Sequence, residues 1–150
     1  GFQDCQAFVD RGRLQLHFLL WDSVPCEFVT DGNPRVIYDN GAILSNVYAK
    51  PDNGKLDVYV WWNDVPFEEY GVSLQIFDAE GNRLVQDDFV VIEGLHHSEI
   101  DWDGMPTGDY DVQMILYNLG DISSIGGQLY PDVVHFDRSF SVGTIAVHSE

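Results

Sequence analysis

Apolar and polar residues alternate with a period of two along most of this 150-residue chain. The clearest run is 110–116, where Tyr110, Val112, Met114 and Leu116 occupy every second position. Such alternation is typical of a β-strand with one buried face. The same pattern, with β-branched and aromatic residues, predicts strands at 13–20, 27–30, 35–38, 42–49, 55–62, 71–78, 83–92, 99–102 and 109–118, and a last strand through 134–142.

Clusters of Gly, Asn, Asp and Pro separate these runs, for example at 51–54 and 78–83. These residues favour tight turns, and connections this short favour antiparallel pairing over helical crossovers. The segment 119–132 is the least regular part, and Gly143 suggests a β-bulge in the last strand. We predict an all-β fold with an N-terminal β-segment or linker at 1–30, docked on a sandwich domain at 31–150.

Tyr110 enters its strand directly after a Pro and Gly turn. In immunoglobulin-like sandwiches a tyrosine at such a corner bonds through its hydroxyl to nearby backbone. We therefore predict an antiparallel immunoglobulin- or fibronectin-like sandwich of about seven to nine strands. Arg138 falls on the apolar side of its alternation, so it needs a bulge, an edge position or a carboxylate partner. The expected core comprises Leu56, Val58, Val60, Trp62, Val72, Leu74, Ile76, Tyr110, Val112, Met114, Leu116, Phe136 and Phe140.

The chain carries 7 Lys and Arg against 25 Asp and Glu, a net charge of −18. This charge repels phosphate backbones and argues against nucleic-acid binding. No apolar run approaches the roughly 18 residues of a membrane helix, so we expect no insertion by this stretch. Cys5 and Cys26 either form a disulfide, contributing on the order of 3 kcal/mol in an oxidising compartment, or remain buried thiols in a reducing one.

Three aromatic residues are candidate ligand contacts. Trp62 belongs to the core row, so Tyr59 and Trp61 point to the other face of their strand, and Tyr117 lies opposite the row of Tyr110. If the two strands are neighbours, these rings form an exposed patch suited to sugar rings or a protein partner. The alternative is that the N-terminal segment or a partner domain covers them.

The aspartates near the corner at residue 105 are candidate calcium ligands. Asp101, Asp103 and Asp109 would supply the carboxylate oxygens that calcium prefers, although solvated turn aspartates explain the same pattern. We expect no resident cofactor otherwise. The histidines show no zinc spacing, and no serine or cysteine has a catalytic context. The carboxylate pairs 68–69 and 99/101 are the ones to inspect for glycoside hydrolysis, but we expect no enzyme.

Residues from about 35 to 147 resemble a β-sandwich module at the C-terminus of multi-spanning glycosyltransferases of the dolichyl-phosphate-mannose type. The similar pieces are 56–62 (LDVYVWW), 70–81 (YGVSLQIFDAEG), 86–88 (QDD) and 105–117 (MPTGDYDVQMILY). The resemblance implies a non-catalytic, extracytoplasmic accessory domain, tethered through a membrane segment outside this stretch. Its partner would be the membrane domain of the same polypeptide or another protein. Alternatives are a stand-alone carbohydrate-binding module that uses the aromatic patch, and a small glycoside hydrolase-like enzyme.

Overall fold

The structure is a computed structural model that describes residues 1–9, 14–21, 24–26, 28, 35–52, 54–66, 69–101 and 105–147. The chain divides into two compact units, Gly1–Gly32 and Asn33–Glu150. The described elements are all β-strands, and their pairings are antiparallel. A search of the described residues for a helix long and apolar enough to span a membrane finds none.

The N-terminal unit contains an antiparallel hairpin of β1 (Phe2–Val9) and β2 (Leu14–Trp21). The strand predicted at 13–20 is therefore confirmed as β2. The strand β1 was not predicted because Gln3, Asp4 and Gln6 interrupt any regular alternation. Of the strand predicted at 27–30 only Phe28 is described, and it is helical rather than extended, because its backbone N–H donates to the carbonyl of Pro25. The turn predicted at 31–34 lies outside the described residues.

The second unit folds into two sheets. Its strands are β3 (Arg35–Tyr38), β4 (Ile43–Asp52), β5 (Lys55–Asn63), β6 (Tyr70–Phe77), β7 (Arg83–Val90), β8 (Gly94–Asp101), β9 (Gly108–Asn118), β10 (Ser124–Ile125), β11 (Gly127–Tyr130), β12 (Val134–Phe136) and β13 (Ser139–Val147). The six-stranded sheet has the order β12-β11-β3-β4-β5-β8. The five-stranded sheet has the order β10-β9-β6-β7, and β13 also pairs with β9.

The hydrophobic core combines side chains from both sheets, as expected for an antiparallel sandwich. All of the predicted core residues are buried except Phe136, which is partly exposed and packs against the core. Trp62 is fully buried and stacks on Tyr38, with ring centroids 5.7 Å apart. The hydroxyl of Tyr110 donates to the backbone oxygen of Pro106, which confirms the predicted bond at this corner.

The prediction of seven to nine strands was too low, because the described part of the second unit contains eleven. The difference arises in the segment predicted as irregular, where β10 and β11 lie. Gly127 of β11 explains the missing signal. A Cβ there would lie 2.9 Å from the backbone oxygen of Ile37, so the close approach of β11 to β3 requires a residue without a side chain.

Two other boundaries follow from local chemistry. The strand predicted at 99–102 begins earlier, at Gly94. Its first residues were not predicted because polar His96 and Ser98 stand opposite core residues of β5, where an apolar alternation would have had apolar side chains. The bulge expected at Gly143 is confirmed by a register shift between Ser141 and Gly143. Arg138 lies exposed between β12 and β13, so it does not occupy an inward strand position.

Candidate functional site

A groove lies on the outer face of the five-stranded sheet. The alternation that directs Val72 and Leu74 into the core directs Gly71, Ser73 and Gln75 to the other face of β6, yet these three residues are also buried. They are buried because side chains of β7 and β9 stand on either side of them. We call this feature the outer groove. It is lined by Ser73, Gln75, Arg83, Gln86, Asp88, Ile115, Tyr117, Ile122, Ser124 and Arg138.

The outer groove has a volume of about 330 Å³, within the range of small-molecule sites. A second hollow of about 520 Å³ adjoins it, since Gln75, Arg83, Ile115 and Arg138 line both. The second hollow extends towards Gln113. Together they form a shallow, open depression across β7, β6 and β9, a shape suited to an extended ligand.

Side-chain amides and hydroxyls dominate the floor of the outer groove. The amide nitrogen of Gln75 donates to the hydroxyl of Ser73 at 3.1 Å, and that of Gln86 donates to a carboxylate oxygen of Asp88 at 2.8 Å. In the adjoining hollow the hydroxyl of Ser139 donates to the side-chain oxygen of Gln113 at 3.0 Å. Each glutamine amide has two donor hydrogens and an acceptor oxygen, so hydrogen-bonding capacity remains for a ligand.

The ring of Tyr117 lies against the backbone of Gly71, its partner across the β6–β9 pair. A Cβ on Gly71 would lie 2.5 Å from Cζ and 2.7 Å from the hydroxyl oxygen of Tyr117, so the ring position depends on the glycine. Burial, and secondarily the charge of Asp88, raises the pKa of the Tyr117 hydroxyl. This hydroxyl is therefore a neutral hydrogen-bonding group at physiological pH.

Two arginines line both hollows. Arg83 begins β7, and Arg138 lies between β12 and β13. Among the described residues, no carboxylate lies within ion-pair distance of either guanidinium. Sequence reasoning noted Arg138 only as an anomaly in the alternation, and the structure explains it as a charged residue at the rim of a groove.

The predicted aromatic patch is not assembled. Tyr59 and Trp61 lie on β5 in the six-stranded sheet, whereas Tyr117 lies on β9 in the other sheet, so the condition of neighbouring strands is not met. Tyr59 is buried and stacks on His97 with ring centroids 4.3 Å apart. Trp61 is 41% exposed, and its indole nitrogen donates to the Asn63 side chain. Only Tyr117 belongs to the groove.

The three predicted calcium ligands are not brought together within the described residues. Asp101 lies on β8 in the six-stranded sheet, Asp109 lies on β9 in the five-stranded sheet, and Asp103 falls outside the described residues. Of the carboxylate pairs considered for hydrolysis, Glu99 and Asp101 are both exposed on β8, and Glu68 is outside the described residues.

A different set of potential metal ligands was missed by sequence reasoning. Asp57, His97 and Glu99 place ligand atoms within 4.8 Å of one another. The pairing of β5 with β8 sets Asp57 opposite Glu99 and within hydrogen-bond distance of His97, 40 positions away. Each of these groups already has a charged or polar partner. His97 Nε2 lies 2.8 Å from Asp57 Oδ1, and Lys55 Nζ lies 3.7 Å from Glu99 Oε2. We assign no ion to this exposed cluster.

Polar side chains also face inward where the edge strands β7 and β8 meet. His96 Nε2 lies 2.9 Å from the hydroxyl of Ser98, and the His96 ring stacks on Phe89 at 3.9 Å. Burial lowers the pKa of His96. Burial also raises the pKa of Asp87, which lies on the inward face of β7 opposite Leu74. Inward charges on edge strands oppose pairing with another chain, so this cluster has a structural explanation.

Cys5 and Cys26 form a disulfide, with an S–S distance of 1.95 Å and a Cα–Cα distance of 5.6 Å. The pairing considered from sequence is therefore present in the structure. The bridge links β1 to the segment after β2 and closes a loop of 21 positions inside the N-terminal unit.

Comparison with known proteins adds no family assignment: no protein-family model matches this sequence, and no curated protein matches it. The fold and the outer groove define an antiparallel β-sandwich with a polar depression on one outer face. Function must therefore be argued from the chemistry of that depression.

Proposed function

We propose that this chain is a non-catalytic, extracytoplasmic binding module that holds carbohydrate in the outer groove. The observation that carries the proposal is the combination of Tyr117, lying on Gly71, with the neutral hydrogen-bonding floor around Ser73 and Gln75. A sugar ring has an apolar C–H face and a rim of hydroxyls that donate and accept. The groove offers an aromatic ring to stack on the C–H face, and amides and hydroxyls to bond with the sugar hydroxyls.

We further propose that the module is an accessory domain of a larger, membrane-associated, glycan-handling protein. Support comes from the resemblance of residues 35–147 to such modules and from the Cys5–Cys26 bridge. Disulfides persist in oxidising compartments and are rare in the cytosol. A stand-alone carbohydrate-binding module would use the same groove and would differ only in having no membrane partner.

A glycan array probed with matched aromatic variants tests the binding site. Tyr117→Ala removes the ring in the groove, and Trp61→Ala makes the same kind of change on the other sheet. Stacking worth about 0.5–1.5 kcal/mol, together with the lost hydroxyl contact, predicts roughly tenfold or more weaker retention for Tyr117→Ala. Trp61→Ala should bind like the parent protein.

Circular dichroism and urea unfolding of both variants show whether each one folds. Loss of binding in Trp61→Ala with retention in Tyr117→Ala would transfer the site to the six-stranded sheet. Failure of the parent protein to retain any glycan would refute carbohydrate binding. Either result would leave the fold assignment unchanged.

Two measurements on the source cells test the accessory role. An antibody against this domain should detect a large band in the membrane fraction. A soluble or secreted band near 17.0 kDa would instead favour the stand-alone module. Alkylation before and after reduction, followed by mass spectrometry, should show Cys5 and Cys26 joined in the isolated protein. Two free thiols would contradict an extracytoplasmic location.

A further inference from the structure

We infer that the outer groove selects glycans bearing an acidic sugar, whose carboxylate or sulfate is bound by Arg83 and Arg138. This inference rests on the proposed function and adds the chemical class of the ligand. It follows from where the chain places its few positive charges.

Positive charge is scarce in this protein, with 7 Lys and Arg against 25 Asp and Glu. Of the three arginines among the described residues, Arg35 lies on the six-stranded sheet and the other two line the same groove. Among the described residues neither guanidinium has a carboxylate within ion-pair distance, so an anion in the groove would meet two positive charges without such a partner. Asp88 lines only the first hollow, and no carboxylate is among the described residues that line the second.

Arginine suits this role because its planar guanidinium presents a fork of donors that matches a carboxylate or sulfate. Arg83 and Arg138 line both hollows, whereas Tyr117 lines only the first. A sugar ring stacked on Tyr117 therefore occupies the same hollow as both guanidinium groups. The register sets Tyr117 opposite Gly71 but Arg83 opposite Phe77, so the acidic substituent belongs on a neighbouring ring, in the second hollow.

The net charge of −18 limits the ligand to few acidic groups. The negative charge of the protein repels every acidic group of a long polyanion. The two arginines attract only the acidic group that lies in the groove. At physiological ionic strength the screening length is about 8 Å, so an isolated acidic group responds mainly to nearby charges, and in the second hollow those are the two arginines. The favoured ligand is a largely neutral glycan with an occasional uronic acid or sulfated sugar.

Titration with matched disaccharides tests the inference. The probes are glucosyl-glucose, glucuronosyl-glucose, a 6-sulfated glucosyl-glucose and inorganic sulfate, measured by calorimetry and by NMR of the backbone and arginine side chains. A hydrogen-bonded ion pair predicts about tenfold tighter binding of an acidic disaccharide than of the neutral one. Comparison of glucuronosyl-glucose with the 6-sulfated disaccharide shows whether the groove prefers a carboxylate or a sulfate.

Arginine variants provide the matched controls. Arg83→Gln and Arg138→Gln should each remove part of the roughly tenfold preference for the acidic disaccharide, about threefold if the two share it equally, and should change binding of the neutral one little. Arg35→Gln changes the net charge equally but lies on the other sheet, so it should leave the preference intact. All three positions are exposed, so folding should be preserved.

The outcomes separate the inference from the proposed function. Equal binding of neutral and acidic disaccharides, abolished by Tyr117→Ala, would overturn the inference and support carbohydrate binding. An identical loss of affinity in all three arginine variants would mean that net charge alone explains the preference for the acidic disaccharide, and this result would also overturn the inference. Binding of inorganic sulfate as tight as that of the acidic sugars, with no sugar contribution, would reject both. No binding of any disaccharide would also reject both.

Discussion

Replacing Gly71 with alanine tests the packing on which the outer groove depends. The three atoms nearest to the added Cβ all belong to the Tyr117 side chain: Cζ at 2.5 Å, the hydroxyl oxygen at 2.7 Å and Cε2 at 3.0 Å. Real Cβ contacts are not that short, so the ring must leave its position against β6. The substitution changes no polar group, and any effect on binding reports the position of the ring.

The stability change can be worked from two opposing terms. Alanine is favoured over glycine within a strand by roughly 0.5–1 kcal/mol. Crowding in a packed site typically costs about 1–3 kcal/mol. Gly71→Ala should therefore destabilise the parent protein by roughly 0–2.5 kcal/mol but stabilise a Tyr117→Ala background by about 0.5–1 kcal/mol. The coupling free energy between the two sites is then about 1–3 kcal/mol.

A double-mutant cycle measured by urea unfolding gives this coupling directly. Gly108→Ala is the matched control, because a Cβ there meets its nearest atom, in Tyr110, at an ordinary 3.9 Å. Its effect should be the same with and without Tyr117. Equal effects of Gly71→Ala in both backgrounds would refute the packing argument. Retention of full glycan affinity by Gly71→Ala would refute the role of the ring position.

Three further predictions concern the sandwich itself. Tyr110→Phe removes the hydroxyl that donates to Pro106, and urea unfolding should show a loss of about 0.5–1.5 kcal/mol. Tyr38→Phe should instead raise stability by about 1–2 kcal/mol, because the buried Tyr38 hydroxyl has no hydrogen-bond partner among the described residues. His96 has a pKa lowered by burial, so its contribution to stability is full above its ordinary pKa of 6.5 and is lost as the pH falls below it. Between pH 7 and pH 5 the parent protein should therefore lose more stability than His96→Gln.

Each of these predictions has a result that contradicts it. An unchanged midpoint for Tyr110→Phe would mean that the corner bond contributes nothing. A destabilised Tyr38→Phe would show that the hydroxyl finds a partner in solution. Parallel pH profiles for the parent and His96→Gln would assign acid sensitivity to other groups.

Much of the fold was readable from sequence because one-sided burial forces a period of two. Apolar residues occupy every second position around Val60, Leu74 and Met114, and these rows belong to the core of the structure. Prediction was wrong where a strand buries polar groups or no side chain at all. The first half of β8 was not predicted because His96 and Ser98 take the place of apolar residues in the alternation. The strand β11 was not predicted because Gly127 has no side chain to contribute to one.

The candidate site was far less readable, because it depends on which strands are neighbours. Alternation fixed the face of Tyr59, Trp61 and Tyr117 on their own strands but could not assign those strands to sheets. Pairing of β9 with β6 placed Tyr117 on Gly71 and separated it from Trp61. Gly71 itself gave no sequence signal, since its role is the space that it leaves for a ring 46 positions away.

The sequence by itself determined the all-β class, the inward and outward faces of most strands and the scarcity of positive charge. These properties follow from local periodicity and composition. Only the tertiary structure decided that Arg83 and Arg138 border one groove, and that Asp57 and His97 meet across β5 and β8. Such juxtapositions come from long-range strand register, which is fixed by the packing of the whole sandwich.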